Sequence, residues 1–229
     1  MLQSLSVIIP TLNEEQNIAE LIDFIKEENL PTEIIVSDGL SNDNTAQIAA
    51  QKGAVIVAGE AGRGKQLNRG AEAASGDLLL FMHADSTFNK GALRTLFFAM
   101  EKNPHKIGGA FKLKIDSNSL LLNFISWSSN LRAKYLRIIF GDQAIFVRRE
   151  VFDQIGGFPD IELMEDWEFS KKLADMGELL FLDEFVYTSA RKWEENGVLK
   201  TILLMHKIKI LYKLGINPKK LKQIYYNSR

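Results

Sequence analysis

Two hydrophobic periods alternate along the first half of the chain. Residues 5–9 (LSVII) are apolar and β-branched and stop at Pro10, which predicts a strand. Asn13 with Gln16 three residues on predicts a capping box. Ile18, Leu21, Ile22 and Ile25 then recur at helical spacing. Residues 33–39 (EIIVSDG) predict a second strand ending in Asp-Gly, and Asn42 and Asp43 open a second helix with Thr45, Ile48 and Ala49 on one face. Residues 54–58 (AVIVA) predict a third strand. A glycine-rich turn over 59–64 leads into a helix marked by Leu67, Ala71 and Ala74 and stopped by Gly76. Residues 78–86 (LLLFMHADS) begin with an unbroken apolar run, the pattern of a strand buried on both faces of a parallel sheet. These successive strand-then-helix units predict an α/β fold with a mostly parallel central sheet and flanking helices.

The second half is less regular. Leu93, Leu96, Phe97 and Met100 share one face of a helix over 91–101, and 108–115 (GGAFKLKI) alternates as a half-exposed strand. Residues 119–139 combine apolar and basic side chains with Trp127 and Tyr135, and predict one or two amphipathic helices. A strand, a helix and a glycine stop follow over 143–158, and Glu165 with Asp166 starts another helix. Residues 179–189 predict one last strand or two. The end of the chain is helical, with Val198, Ile202, Met205, Ile208 and Tyr212 on one side. With no internal repeat or low-complexity linker, residues 1–196 read as one catalytic body and 197–229 as a basic amphipathic helical extension of the same domain.

Charge changes this picture at one end. The net charge of the 229 residues is -1, yet residues 197–229 contain no acid and eight basic side chains. That leaves the remainder at about -9. An apolar helical face with lysines and no acids fits either a helix on anionic lipid or one packed on an acidic body. An acidic body with its basic residues on one terminal helix argues against nucleic acid. The absence of cysteine excludes disulfides and thiolate metal sites. The first residues lack the pattern of a signal peptide, and no apolar run reaches the roughly 20 residues of a membrane span. A cytoplasmic protein, peripheral at the inner face of the membrane, is the resulting expectation.

Three predicted strand ends carry polar groups: Pro10 and Thr11, Asp38 and Gly39, and His83, Ala84 and Asp85. In a parallel sheet these ends share the edge where open α/β sheets bind ligands. Two carboxylates there suit a nucleotide with a divalent cation, one accepting a hydrogen bond from base or ribose and one holding Mg²⁺ or Mn²⁺. Arg63 and Lys65 can neutralise a diphosphate. Residues 59–65 match the GxxxxGK phosphate loop, but Gln66 stands where a hydroxyl residue would hold Mg²⁺, which excludes that reading. Glu165 and Asp166 offer a general base directed at an acceptor hydroxyl from a mobile loop. Arg191, Lys192 and Trp193 can stack on and neutralise a leaving phosphate.

In order, the stretches SVIIPTLNEE (6–15), IIVSDGLSNDNT (34–45), GRGKQLNRGAEAASGDLLLFMHADS (62–86), GDQAIFVRREVFDQIGGF (141–158) and MEDWEFSKKL (164–173) resemble the family 2 glycosyltransferases of the glycosyltransferase A fold. The closer resemblance is to a small bacterial subgroup with HAD in place of the usual acidic triad and an RxW after the last strand. It implies that Thr11, Glu14 and Asp38 seat the nucleotide, with Pro10, Asn13 and Gly39 beside them. It implies that Asp85 ligates the metal, that Asp166, next to Glu165, is the base, and that Arg191 and Trp193 form the arginine-tryptophan element. Where the family has Asp, this chain has His83, which can ligate Mn²⁺ but suits Mg²⁺ poorly, or can instead bond ribose or phosphate. The implied reaction is an inverting transfer of a sugar from a nucleotide-diphosphate donor to an acceptor hydroxyl. A sugar-nucleotide pyrophosphorylase is the alternative, though its glycine-rich loop is replaced here by PTLNEEQN. A nucleotide-binding protein without catalysis is the third reading.

Overall fold

A computed structural model describes residues 2–191, 193 and 197–227. Its single sheet has the order β3-β2-β1-β4-β7-β6-β8-β5. The first four strands, β1 (Leu5–Thr11), β2 (Thr32–Asp38), β3 (Val55–Ala58) and β4 (Leu78–Phe81), run parallel. β7 (Ile145–Arg148) then pairs antiparallel with both β4 and β6 (Lys106–Asp116). β8 (Glu178–Ser189) is parallel to β6, and short β5 (Ser86–Phe88) lies antiparallel on its far side.

Alternation along the central strands divides the core into two layers. Val7 and Ile9 of β1 and Leu78 and Leu80 of β4 join α1 (Ile18–Glu27) and α4 (Ala92–Lys102) on one face. Ile8, Leu79 and Phe81 point the other way, toward α3 (Arg63–Ala73), α6 (Arg149–Ile155) and α7 (Glu165–Met176). Both faces are covered, which is why these strands read as unbroken apolar runs. On the second face Phe81, Phe152, Phe158 and Phe169 pack ring on ring, with Phe158 and Phe169 stacked at 4.1 Å. This group fixes α7 against the end of β4.

Several boundaries differ from the sequence pattern. The first helix starts at Ile18, not after Asn13. Asn13 has φ 57° and its Oδ1 accepts the Asn42 N–H at 2.9 Å, so it stitches two loops rather than capping a helix. The run over 78–86 splits, because the chain turns after Phe81 and pairs again only as β5. Residues 119–139 hold one helix, α5 (Leu120–Leu136), and the last β region is one strand. The end of the chain forms α8 (Val198–Lys213) and α9 (Pro218–Asn227). On α8 the buried residues are Thr201, Leu204 and Ile208; of the expected face Val198, Ile208 and Tyr212 pack inward, while Ile202 and Met205 are not among the residues packed in these clusters. The packing surface, Met164 and Trp167 of the α7 start, decides that rotation. No helix among the described residues is long and apolar enough to cross a membrane.

Deleting the fully buried Phe169 ring should cost about 4 kcal/mol in Phe169→Ala. Phe124→Ala, on the exposed side of α5, should stay within about 0.5 kcal/mol of the parent. Urea unfolding of both variants checks the difference, and similar midpoints would refute the assigned core.

Candidate active site

β1 and β2 end in register, Thr11 opposite Asp38, and β4 ends beside them, Phe81 opposite Ile8. Thr11 Oγ1 donates to Asp38 Oδ1 at 3.0 Å, and Asp38 also accepts Ser41 N–H (2.8 Å) and Ser41 Oγ–H (2.6 Å). Gly39 N–H donates to Thr11 O at 2.8 Å, and a Cβ there would lie 3.1 Å from that same oxygen. Asn13 N–H bonds Ser41 Oγ, and Glu14 N–H bonds Thr45 Oγ1. The loops after β1 and β2 are thereby one braced unit.

α3 is locked to this edge by Gln66, whose Nε2 donates to Thr11 O (2.8 Å) and Ser37 O (2.9 Å). One turn earlier, Arg63 reaches across to the turn after β4. Its Nη2 lies 2.7 Å from His83 Nε2. A guanidinium only donates, so His83 Nε2 accepts. The same side chain stands 3.4 Å from Glu165 and 3.7 Å from Asp166.

Asp166 arrives from two directions of packing. Asn68 pairs reciprocally with the backbone of Phe158, clamping the loop before α7 onto α3. At the far end of this loop Leu163 and Met164 pack against α8. The antiparallel β7 places Ile145 opposite Phe81, which sets the 3-10 turn Gly141–Gln143 beside His83. Gly141 N–H then donates to Asp166 Oδ2 at 2.9 Å, while Asp166 Oδ1 accepts Trp167 N–H at 2.7 Å. Pro10, Arg63, His83, Gly141 and Asp166 enclose a void of only about 10 Å³, room for about one water.

The electrostatics follow from burial. Burial pushes the Glu165 carboxyl up to about 7, Arg63 pulls it down and Asp166 pushes it up. Burial also works against charge on Arg63, but Glu165, Asp166 and Asp142 outweigh it and raise its pKa.

Other expected residues lie further out. Lys65 pairs with exposed Glu60 at 3.6 Å and does not join the cluster. Ala84 is buried in the turn. Exposed Arg191 follows β8, and the pairing of Ser86 with Thr188 brings it to the side of Asp85. Trp193 is half-buried among Ile115, Leu122, Ile125 and Val198, so its ring packs apolar side chains instead of standing open beside a phosphate. Lys192 lies outside the described residues.

Among the described residues no three His, Asp or Glu side chains converge as a metal cage. With His83 Nε2 held by Arg63, Asp85 is the chain's remaining expected ligand. One carboxylate suits a hard cation that brings further oxygens from a diphosphate, so the donor set fits a cation carried with the donor.

Sequence reasoning missed Asp142, Arg132, Phe140 and Lys209. Arg132 and Lys209 lie over the Phe140 ring, 4.2 and 4.8 Å from its centre. Burial raises the Asp142 carboxyl, against the pull of Arg132. Its Oδ1 and Arg63 Nε are buried without hydrogen-bond partners among the described residues. The one available signal was the Gly141-Asp142-Gln143 stretch. A larger cavity of about 420 Å³ opens at the other end of β4, where Arg148 and Arg149 brace main-chain carbonyls.

A family model described as "Glycosyl transferase family 2" matches residues 6–157. The chain is 29% identical over 201 residues to "Probable glycosyltransferase YdaM" of Bacillus subtilis (strain 168), covering 77% of this chain and 48% of that protein. It is 38% identical over 95 residues to "4,4'-diaponeurosporenoate glycosyltransferase" of Staphylococcus haemolyticus, covering 38% of this chain and 25% of that protein. The chain thus aligns with about half or less of the length of these relatives. Among solved structures, the mannosyltransferase PcManGT from Pyrobaculum calidifontis in complex with GDP-Man and Mn²⁺ has TM-score 0.67 at 22% identity, over 97% of this chain and 68% of that one. S. aureus TarS 1-349 in complex with UDP has TM-score 0.66 at 23% identity, over 84% and 62%. These are likenesses of fold.

A glutamate whose folded pKa is raised stabilises the fold fully below its ordinary value of 4.5, and that contribution is lost as pH rises through about 7. Glu165→Gln should therefore flatten the fall in Tm across that window. A variant profile parallel to the parent's would assign the titration to another group.

Proposed function

The chain belongs to glycosyl transferase family 2, and from that premise we propose that it moves a sugar from a nucleotide-diphosphate donor to an acceptor hydroxyl with inversion. The observation that carries the reading is the short bridge made by Arg63. It joins the turn holding His83 and Asp85 to the helix start holding Glu165 and Asp166. A leaving-group side and a base side thereby face one another across one side chain, as in-line displacement requires.

Asp38, braced by Thr11 and Ser41, and the loop with Pro10, Asn13, Glu14 and Gly39 seat the nucleotide. Asp166, oriented by two main-chain N–H donors, takes the proton of the acceptor hydroxyl as its oxygen attacks the anomeric carbon. The bond from that carbon to the diphosphate oxygen breaks, and its electrons leave with the diphosphate. Glu165, whose carboxyl burial pushes up to about 7, limits the negative charge beside the base. Arg63 and Arg191 stabilise charge on the departing group. Asp85 would hold a divalent cation brought with the donor, which when bound would supply further positive charge there.

Residues 1–196 form the catalytic body in this reading, and 197–229 its extension. The solved neighbours bound to UDP or to GDP-Man with Mn²⁺ support a nucleotide-sugar donor and a cation. The acid-free, basic end of the chain supports a lipid-linked acceptor and a peripheral place at the inner face of an anionic membrane.

Replacing Asp166 by Asn should lower kcat by about a thousandfold, while the thermal shift given by UDP, GDP or their sugars with Mn²⁺ is retained. Near-parental turnover in Asp166→Asn would remove it as base. Asp85→Asn should abolish the Mn²⁺-dependent part of the nucleotide shift, and an unchanged Mn²⁺ dependence would move the cation elsewhere.

A further inference from the structure

Two stretches of this chain, residues 117–141 and 197–229, contain no aspartate or glutamate. The helices α5 and α8 within them are linked at two places. Val198, at the start of α8, packs in the same cluster as Leu122 and Ile125 of α5. Further along, Arg132 of α5 and Lys209 of α8 share the Phe140 ring.

Each helix leaves an apolar stripe uncovered. On α5, Leu120, Phe124 and Trp127 are 87, 59 and 57% exposed. On α8, Leu199, Leu203, Ile210 and Leu214 are 68, 71, 59 and 72% exposed. Both sets recur at spacings of three, four or seven, so each lies along one helix face. The buried stripe of α8, through Thr201, Leu204 and Ile208, is already taken by the α7 start. Single exposed apolar residues are ordinary, but stripes on two adjacent helices form an interaction surface. Lys134, Lys200 and Lys207 are exposed along the same helices.

We propose that the outer faces of α5 and α8 form one docking surface that seats the protein on an anionic lipid monolayer, both helices lying in the interface. Apolar stripes supply insertion, lysines meet the headgroups, and Trp127 and exposed Tyr135 suit the headgroup level. Charge decides the occupant. A second copy docked through the same face would set these lysines against one another with no acid to pair them, whereas an anionic headgroup layer complements them. Phe140 and Trp167, whose rings stand 5.6 Å apart next to Asp166, lie under the inner side of α8, so an acceptor carried in the lipid would reach the base past this helix. Only this last step rests on the transferase reading. The docking does not.

Co-sedimentation of the full chain with vesicles of phosphatidylglycerol in phosphatidylcholine tests it. At low salt the protein should bind these vesicles and not pure phosphatidylcholine, and its tryptophan emission should shift to the blue. Leu203→Glu combined with Ile210→Glu should weaken vesicle binding about tenfold or more, with the nucleotide thermal shift unchanged. Trp127→Phe should bind yet lose most of the blue shift. Absence of binding at low salt, or parental binding by the double variant, would overturn the proposal. A dimer in analytical ultracentrifugation that the double variant dissolves would overturn it in favour of a second copy. Vesicle binding without any nucleotide shift would leave the docking surface standing and sink the transferase reading alone.

Discussion

Two neighbouring carboxylates, Glu165 and Asp166, are buried at the start of one helix, and most of the molecule around them answers that constraint. Burying adjacent acids is costly unless charge and hydrogen bonds compensate. Here the compensation is the Arg63 guanidinium, the positive end of α7, the Gly141 N–H, and the ease with which Glu165 takes a proton. Arg63 can serve only if α3 comes very close. Gly64 allows this, since a Cβ there would lie 2.9 Å from Pro159 O. Gln66 and Asn68, further along α3, then fasten the helix to the strand edge on one side and to the α7 loop on the other.

The sheet solves the complementary problem of bringing two halves of a site together. Parallel pairing puts the ends of β1, β2 and β4 in a row, which builds the polar edge of the candidate site. The reversal at β7 delivers something parallel pairing cannot: the start of β7, not its end, lies beside the end of β4. The turn before β7 thus becomes the neighbour of His83. The phenylalanine group beneath holds that neighbourhood rigid, because Phe81 precedes the His83 turn by one residue while Phe158 and Phe169 bracket Asp166.

The helices at the end of the chain divide their surfaces between two roles. One side closes over Met164 and Trp167, with Lys209 on Phe140, Lys213 on Trp167 and Tyr212 Oη donating to Glu168. The other side is apolar, basic and open. The charge segregation noted in the sequence is therefore not a choice between packing on the body and facing outward. Both occur, on opposite faces of α8.

Much of this was legible in the chain. Period-two and period-3.6 patterns are local, so they located the strands, the helices and the parallel edge with Thr11, Asp38, His83 and Asp85. The start of α7 at Glu165 was equally local. What no local pattern carries is which distant side chains meet. Arg63 looked like a phosphate ligand, and its contacts with His83, Glu165 and Asp166 could not be read from the pattern. Trp193 looked like a stacking residue and is found half-buried against apolar side chains. Asn13 looked like a helix cap and became a loop stitch. Asp142, Arg132 and Lys209 were invisible as a group because they lie on three elements brought together only by tertiary contacts. The sequence by itself determined the elements and the strand edge, since those follow from the periods of neighbouring residues. The partners of each buried charge were decided only by tertiary structure, since desolvation depends on everything that closes around the group.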